Sequence, residues 1–230
     1  MHVREERPDV AFLLDVDNTL LDNDTVIADL KRHLTTAVGA DCQQRYWDLF
    51  EQHRQELGYA DYLGALQRYR LERPRDAELV RLSLFLLHYP FADRLYPRAL
   101  DVIARLRQCG PVIILSDGDV VFQPWKIERS GLWAAVEGDV LIYVHKEEML
   151  DDVERRYPAR RYVMVDDKVR ILAALKARWR ERLTTVFVRQ GHYAADGEAV
   201  ASYPAADVSV DRIEALIDWV DALEDLQPAS

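Results

Sequence analysis

The sequence predicts an α/β protein: a parallel sheet with helices on both of its faces, interrupted after the first strand by an all-helical insertion. Three observations predict it. Short apolar runs near 10–14, 111–115, 140–144, 162–165 and 184–188 have the length and composition of buried strands. Helical stretches separate most of them, and such alternation favours parallel pairing, because a parallel crossover needs a helix-length connection. The interval between the first two runs breaks the alternation, since it is far longer than one crossover helix requires.

In chain order, the first strand is VAFLL at 10–14, which runs into Asp15-Val16-Asp17-Asn18-Thr19-Leu20. From 24 to about 91 the chain reads helical. Tyr46, Trp47, Leu49, Phe50 and Leu57 recur at helical spacing, as do Leu63, Leu66, Leu79, Leu82, Phe85 and Leu86, with Pro74 and Pro90 as breaks. Pro97 sits near the start of a helix expected to end about Cys109, with Gly110 at its C-terminal end. The strand at 111–115 leads to Ser116-Asp117-Gly118-Asp119 and a helix over 120–130. A third strand at 140–144 precedes His145-Lys146, and a fourth at 162–165 precedes Asp166-Asp167-Lys168 and a helix over 169–179. A strand at 184–188, a short one around 208–210 and a helix from 213 to about 223 complete the series; the polar stretch 190–206 reads as a surface loop. The expected organisation is a core domain of residues 1–22 and 95–230 and a helical cap domain of residues 23–94, hinged around 22–24 and 91–95.

Four polar clusters end apolar runs, where open α/β sheets place their ligands. Asp15 and Asp17 are two apart, so in extended backbone both lean to one side; carboxylates that close repel unless a cation joins them or one keeps a proton. Alone, such a pair is as well explained by an acidic turn. Ser116 and the backbone beyond it make a strand-to-helix turn that could cradle a phosphate, with Gly118 permitting close approach; the plain alternative is a helix-capping serine. Lys146 directly follows a strand, with Lys126 competing for the same role. Asp166 and Asp167 could equally begin a helix.

Together, and in this order, the clusters resemble the four motifs of the haloacid dehalogenase-like phosphohydrolases. The resemblance implies a Rossmann-like core and assigns roles. Asp15 is the nucleophile that becomes an aspartyl phosphate, and Asp17 is the general acid and base. Ser116 and Lys146, with Asp117 and Gly118 beside them, bind the transferring phosphoryl group. Mg2+ is held by the Asp15 carboxylate, the Asp17 main-chain carbonyl and one or both of Asp166 and Asp167. The usual glycine of the fourth motif is missing, which leaves open which of that pair touches the metal. Haloacid dehalogenases lack an aspartate at the Asp17 place, which disfavours dehalogenation. Phosphonate hydrolysis needs a cap lysine, and Lys31, the one lysine of the insertion, carries no mark of reactivity. The implied activity is Mg2+-dependent hydrolysis of a small phosphorylated metabolite. The alternatives are a phosphomutase of the same superfamily and a non-catalytic phospholigand-binding relative. Arg45, His53, Arg54, Tyr59, Tyr62 and Arg68 are the candidate cap contacts to the substrate, each more simply read as part of a solvated helix face.

Composition bounds the partners. Across 230 residues, 30 basic against 40 acidic side chains give a net charge of −10, a poor match to nucleic acid or anionic membrane. Arginine clusters at 68–75 and 155–161 read as solvated helix faces. Cys42 and Cys109 show neither metal spacing nor a disulfide framework. The N-terminal stretch is polar and the apolar run at 82–87 is far too short for a bilayer, so a cytoplasmic location is expected.

Overall fold

The computed structural model describes residues 7–75 and 78–225. The polar N-terminal stretch and the last few residues, both assigned to the core domain from sequence, lie outside the described residues.

Strand β1 (Val10–Leu14) is followed by four inserted helices: α1 (Asn23–Val38), α2 (Ala40–Leu57), α3 (Tyr62–Glu72) and α4 (Glu78–Leu87). A 3-10 turn (Phe91–Arg94) and α5 (Ala99–Leu106) return the chain to β2 (Val112–Asp117). Then come α6 (Phe122–Arg129), α7 (Leu132–Ala135), β3 (Val140–Tyr143), α8 (Leu150–Arg156), β4 (Arg161–Asp166), α9 (Val169–Trp179) and β5 (Leu183–Val188). The chain closes with α10 (Gly191–Ala195), α11 (Gly197–Ala201), β6 (Val208–Val210) and α12 (Ala215–Asp225).

All six strands pair in parallel, in the order β3-β2-β1-β4-β5-β6. The protein is thus an α/β, Rossmann-like fold. Alternate residues of β1 enter two apolar clusters: Phe12 and Leu14 one, Ala11 and Leu13 the other. Successive side chains point to opposite faces of a strand, so both faces of the sheet are covered. One cluster includes residues of α5, α6 and α12, and the other residues of α8 and α9. The first also takes in Leu30, Tyr46, Phe50 and Tyr62 of the inserted helices, so apolar packing runs without a break from the insertion into the sheet.

The two connections of the insertion are tied to each other. Asp22 N donates to Arg94 O at 2.8 Å, Tyr96 N donates to Leu20 O at 2.9 Å, and Leu21 forms an antiparallel bridge with Leu95. Within the insertion, Gly39 and the left-handed Gly58 (φ 84°) end helices, as Asp22 and Asp61 side chains begin them.

Three elements differ from expectation. The helix after β2 begins at Phe122, just beyond a turn in which Asp119 Oδ1 accepts from the Val121 and Phe122 amides. The helix before β2 stops at Leu106, since the amides of Cys109 and Gly110 turn back onto Leu106 O. The polar stretch 190–206 is not a loop but carries α10 and α11. Gly191 (φ 70°) starts the first, packed so closely on Asn18 that an added Cβ would lie 2.5 Å from the Asn18 side chain.

Candidate active site

The chain winds from β1 outward through β2 to β3, then returns to the other side of β1 with β4. The β1 and β4 ends therefore flank the point where the winding reverses, the place where open α/β sheets form a crevice. Leu14 pairs with Val165, and Asp15 N donates to Val165 O at 3.0 Å, which sets Asp15 beside Asp166 and Asp167. One oxygen from each of these three buried carboxylates lies within 4.8 Å of the others. After Asp15 the backbone turns sharply: the amides of Thr19, Leu20 and Leu21 all point to Val16 O, and Asn18 takes a left-handed φ of 61°. The Asn18 amide side chain is clamped on Asp24, donating at 3.0 Å and accepting the Asp24 amide at 3.1 Å.

Lys146 stands in the 3-10 turn after β3, fully buried. Its Nζ lies 2.5 Å from Asp15 Oδ1 and 2.7 Å from Asp166 Oδ2, and donates to Leu115 O at 3.3 Å. Burial opposes its charge, but Asp15, then Asp166 and Asp117, hold the ammonium well above the ordinary lysine range. Asp117 serves this loop, its Oδ1 accepting the Lys146 amide at 2.8 Å.

Around Asp17 is a second network. Lys126, buried on α6, places Nζ 2.7 Å from Asp17 Oδ1 and 3.2 Å from Asn23 Oδ1. Gln123, one turn earlier, donates to Ser116 Oγ at 2.9 Å and reaches Asp17 Oδ2 at 3.5 Å. Lys126 and Lys146 are thus not rivals for one position. Each meets a different carboxylate of the first cluster. The close approach that Gly118 permits is to Gln123, whose Cβ an added methyl would meet at 2.9 Å.

The carboxylates are short of positive charge. Asp167 is buried, and neither of its oxygens has a hydrogen-bond partner among the described residues. Burial first, and the adjacent Asp166 second, push its carboxyl well above the ordinary range. Burial also raises Asp166, against the pull of Lys146. Lys168 is held above the usual range against burial by Asp15, Asp167 and Asp166. Oxygen-only ligands and orphaned buried lone pairs are what a hard divalent cation such as Mg2+ requires, so the donor set fits that ion.

Beside Asp17 opens a cavity of about 520 Å³ between the inserted helices, the motif loop and α10. Of the candidate substrate contacts on the insertion, Arg54 and Tyr62 line it. Others do not: Arg45 pairs with Glu72, Arg68 with Glu56 and His53 with Asp61. Opposite charges on neighbouring helices satisfied these side chains away from the cavity. Gln123, Asn23, Lys168, His192 and Tyr193 were missed. Only the i, i+3 placement of Gln123 and Lys126 on one helix face gave a signal in sequence. A larger cavity of about 610 Å³ is lined by Val10, Arg161, Thr184 and Val208, at or near the starting ends of strands, away from the carboxylates. No described helix is long and apolar enough to cross a membrane.

A family model for haloacid dehalogenase-like hydrolases matches residues 10–177. Among solved structures, a haloacid dehalogenase-like hydrolase from Burkholderia xenovorans LB400 is 61% identical, with a TM-score of 0.89 over 96% of this chain and 100% of that one. The HAD-hydrolase YfnB from Bacillus subtilis, determined with magnesium, is 17% identical over 94% and 100% of the two chains (TM-score 0.60). The L-2-haloacid dehalogenase from Xanthobacter autotrophicus with covalently bound chloropropionic acid is 17% identical over 93% and 98% (TM-score 0.61). These last two likenesses establish the fold alone. No curated protein matches the chain.

Proposed function

The chain belongs to the haloacid dehalogenase-like hydrolases, and we propose that within them it is a Mg2+-dependent phosphohydrolase acting on a small organic phosphate monoester through a phosphorylated Asp15. The observation that carries this reading is Asp17: a carboxylate two residues beyond the nucleophile, held by the buried Lys126 at 2.7 Å and facing the cavity. Displacement at phosphorus needs an acid for the leaving oxygen and a base for water. A carboxylate fixed at that position can serve both steps in turn.

Asp15, anchored by Lys146, attacks phosphorus in line, and the phosphorus–oxygen bond to the leaving group breaks. Asp17 gives its proton to the departing oxygen, then takes one from the water that cleaves the acyl phosphate. Lys146 and Ser116, the latter oriented by Gln123, face the equatorial oxygens and stabilise their charge. Asp15, the Asp17 carbonyl, Asp166 and Asp167 would hold Mg2+. When bound, it neutralises charge so that one anion can approach another. The inserted helices act as a cap that keeps bulk water from Asp15 and admits only small esters.

The dehalogenases of this fold suggest a second reading, hydrolysis of a 2-haloacid. Halide leaves without a proton, so that chemistry needs no acid at Asp17, only a base for the water that cleaves the ester. Assay of phosphate release from a panel of small esters, with Mg2+ and with chelator, beside halide release from 2-chloropropionate, separates the two. Mg2+-dependent phosphate release is expected; halide release alone overturns the proposal.

A further inference from the structure

The cavity beside Asp17 is lined by charges of both signs. Asp17 pairs with Lys126 at 2.7 Å and Glu51 with Arg54 at 2.8 Å, while Asp24 bonds the His192 imidazole at 2.6 Å. Lys168 also lines the cavity, drawn by the charges of Asp15, Asp167 and Asp166, with its ammonium 4.9 Å from the centroid of the Tyr193 ring. Lys31 stands on α1. It lines the same cavity, is half-buried, and has no carboxylate partner among the described residues. Its ammonium rests 4.1 Å from the centroid of the Trp47 ring, which lines the cavity too. A ring face attracts the charge but uses up none of its donors in conventional hydrogen bonds, so they remain for a ligand. Trp47 in turn packs on Phe50 at 4.9 Å between centroids, and Phe50 on Tyr62 at 4.6 Å, which fixes the ring that carries the lysine.

We propose that Lys31, seated on Trp47, reads a second anionic group on the leaving-group side of the substrate. The substrate is then a phosphorylated acid, or a bisphosphate, rather than the phosphate of a neutral alcohol or sugar. This rests on the phosphohydrolase reading and narrows it. Lys31 takes no part in bond breaking. It is a specificity residue, and its weight is carried by the difference between anionic and neutral leaving groups.

The test uses a matched pair, phosphoglycolate and 2-hydroxyethyl phosphate, which differ by a carboxylate in place of a neutral hydroxymethyl group; ethylene glycol bisphosphate reports on phosphate as the second anion. Rates with Mg2+ are compared in the wild type, Lys31→Met and Lys31→Arg, and binding of the same compounds is measured by calorimetry. A charge-assisted contact of this kind is worth ~10–100-fold. The wild type should prefer one or both anionic compounds by that ratio in kcat/KM. Lys31→Met should bring the ratio near one, and Lys31→Arg should keep most of it. A wild type without preference, or a Lys31→Met that loses equally on anionic and neutral esters, overturns the assignment. If no ester is turned over, the phosphohydrolase reading fails, and calorimetry decides on Lys31. Anion-selective binding lost in Lys31→Met upholds the subsite, and equal binding of the compounds ends it.

Discussion

Four carboxylates, Asp15, Asp17, Asp166 and Asp167, meet Lys126, Lys146 and Lys168 in the crevice. Asp15 belongs to the carboxylate cluster, as Asp166 does, and pairs with Lys146 at 2.5 Å. Asp15→Asn should lower turnover by at least ~10³-fold while the circular dichroism spectrum and Tm stay close to wild type, because an isosteric amide cannot act as nucleophile. Retained activity in the purified variant would remove Asp15 from the chemistry. Asp17→Asn should cost ~10²–10⁴ in kcat, the ordinary worth of a positioned acid and base. The loss should be smaller for aryl phosphates, whose leaving group needs little protonation; an equal loss on alkyl and aryl esters would argue against the acid role. Asp167 supplies a stability test. Its carboxyl is raised by burial and by Asp166. A raised acid contributes stability that is whole below the unfolded pKa of ~4 and is lost as pH climbs through the folded value. Chelated protein should therefore lose Tm from mildly acidic to alkaline pH. Asp167→Asn should flatten that slope and raise Tm in chelator at pH 8, by ~2–4 °C for each kcal/mol recovered. Mg2+ should stabilise the wild type and not the variant. An Asp167→Asn protein that melts below wild type in chelator would show that the carboxylate is already satisfied.

At the scale of elements, the motif loop depends on a helix that follows β5. Gly191 holds φ 70° against Asn18, and the His192 amide donates to Asp24 Oδ2 at 2.7 Å. Gly191→Ala should destabilise by about 1–3 kcal/mol and lower kcat, since its methyl must displace Asn18 and with it the turn that carries Asp17. Wild-type kinetics in that variant would mean that α10 does not support the loop. This element was also the least legible in sequence. Residues 190–206 lack an apolar stripe, and short helices held by contacts to a distant loop leave no periodicity to read. The strand ends were legible for the opposite reason. VAFLL, VIIL and YVMV are buried on both faces, so each is apolar throughout, and the first polar residue after it marks the crevice. Helix α9 begins at Val169 and ends at Trp179, where its apolar pattern does. The insertion was legible as helical, with breaks at Pro74 and Pro90, but neither the breaks at Gly39 and Gly58 nor the partners of its helices were. Arg45 and Arg68, read as candidate contacts or as a solvated helix face, pair with Glu72 and Glu56 on neighbouring segments. Lys126 could be seen as a candidate, yet its partner is Asp17, 109 residues away in the chain, and no local pattern carries that information.

Over the whole molecule, the insertion and the sheet act through a shared apolar cluster and paired connections. Phe122 of α6 packs against Tyr62 of α3 and Phe91 of the return turn, at centroid distances of 5.6 and 5.8 Å. One helix thereby presents Gln123 and Lys126 to the chemistry and Phe122 to the insertion. The account stands or falls on where water attacks. In a phosphohydrolase, water attacks phosphorus, so its oxygen leaves with the product and the Asp15 carboxylate keeps its own oxygens. If Asp15 were instead alkylated at carbon, water would have to attack the carboxylate carbon, and its oxygen would enter the side chain. Many turnovers in H218O, followed by mass spectrometry of the released product and of the peptide that carries Asp15, distinguish these outcomes directly. The account predicts one 18O in each inorganic phosphate and none in Asp15; 18O in the Asp15 carboxylate, with product released from a 2-haloacid, would contradict it.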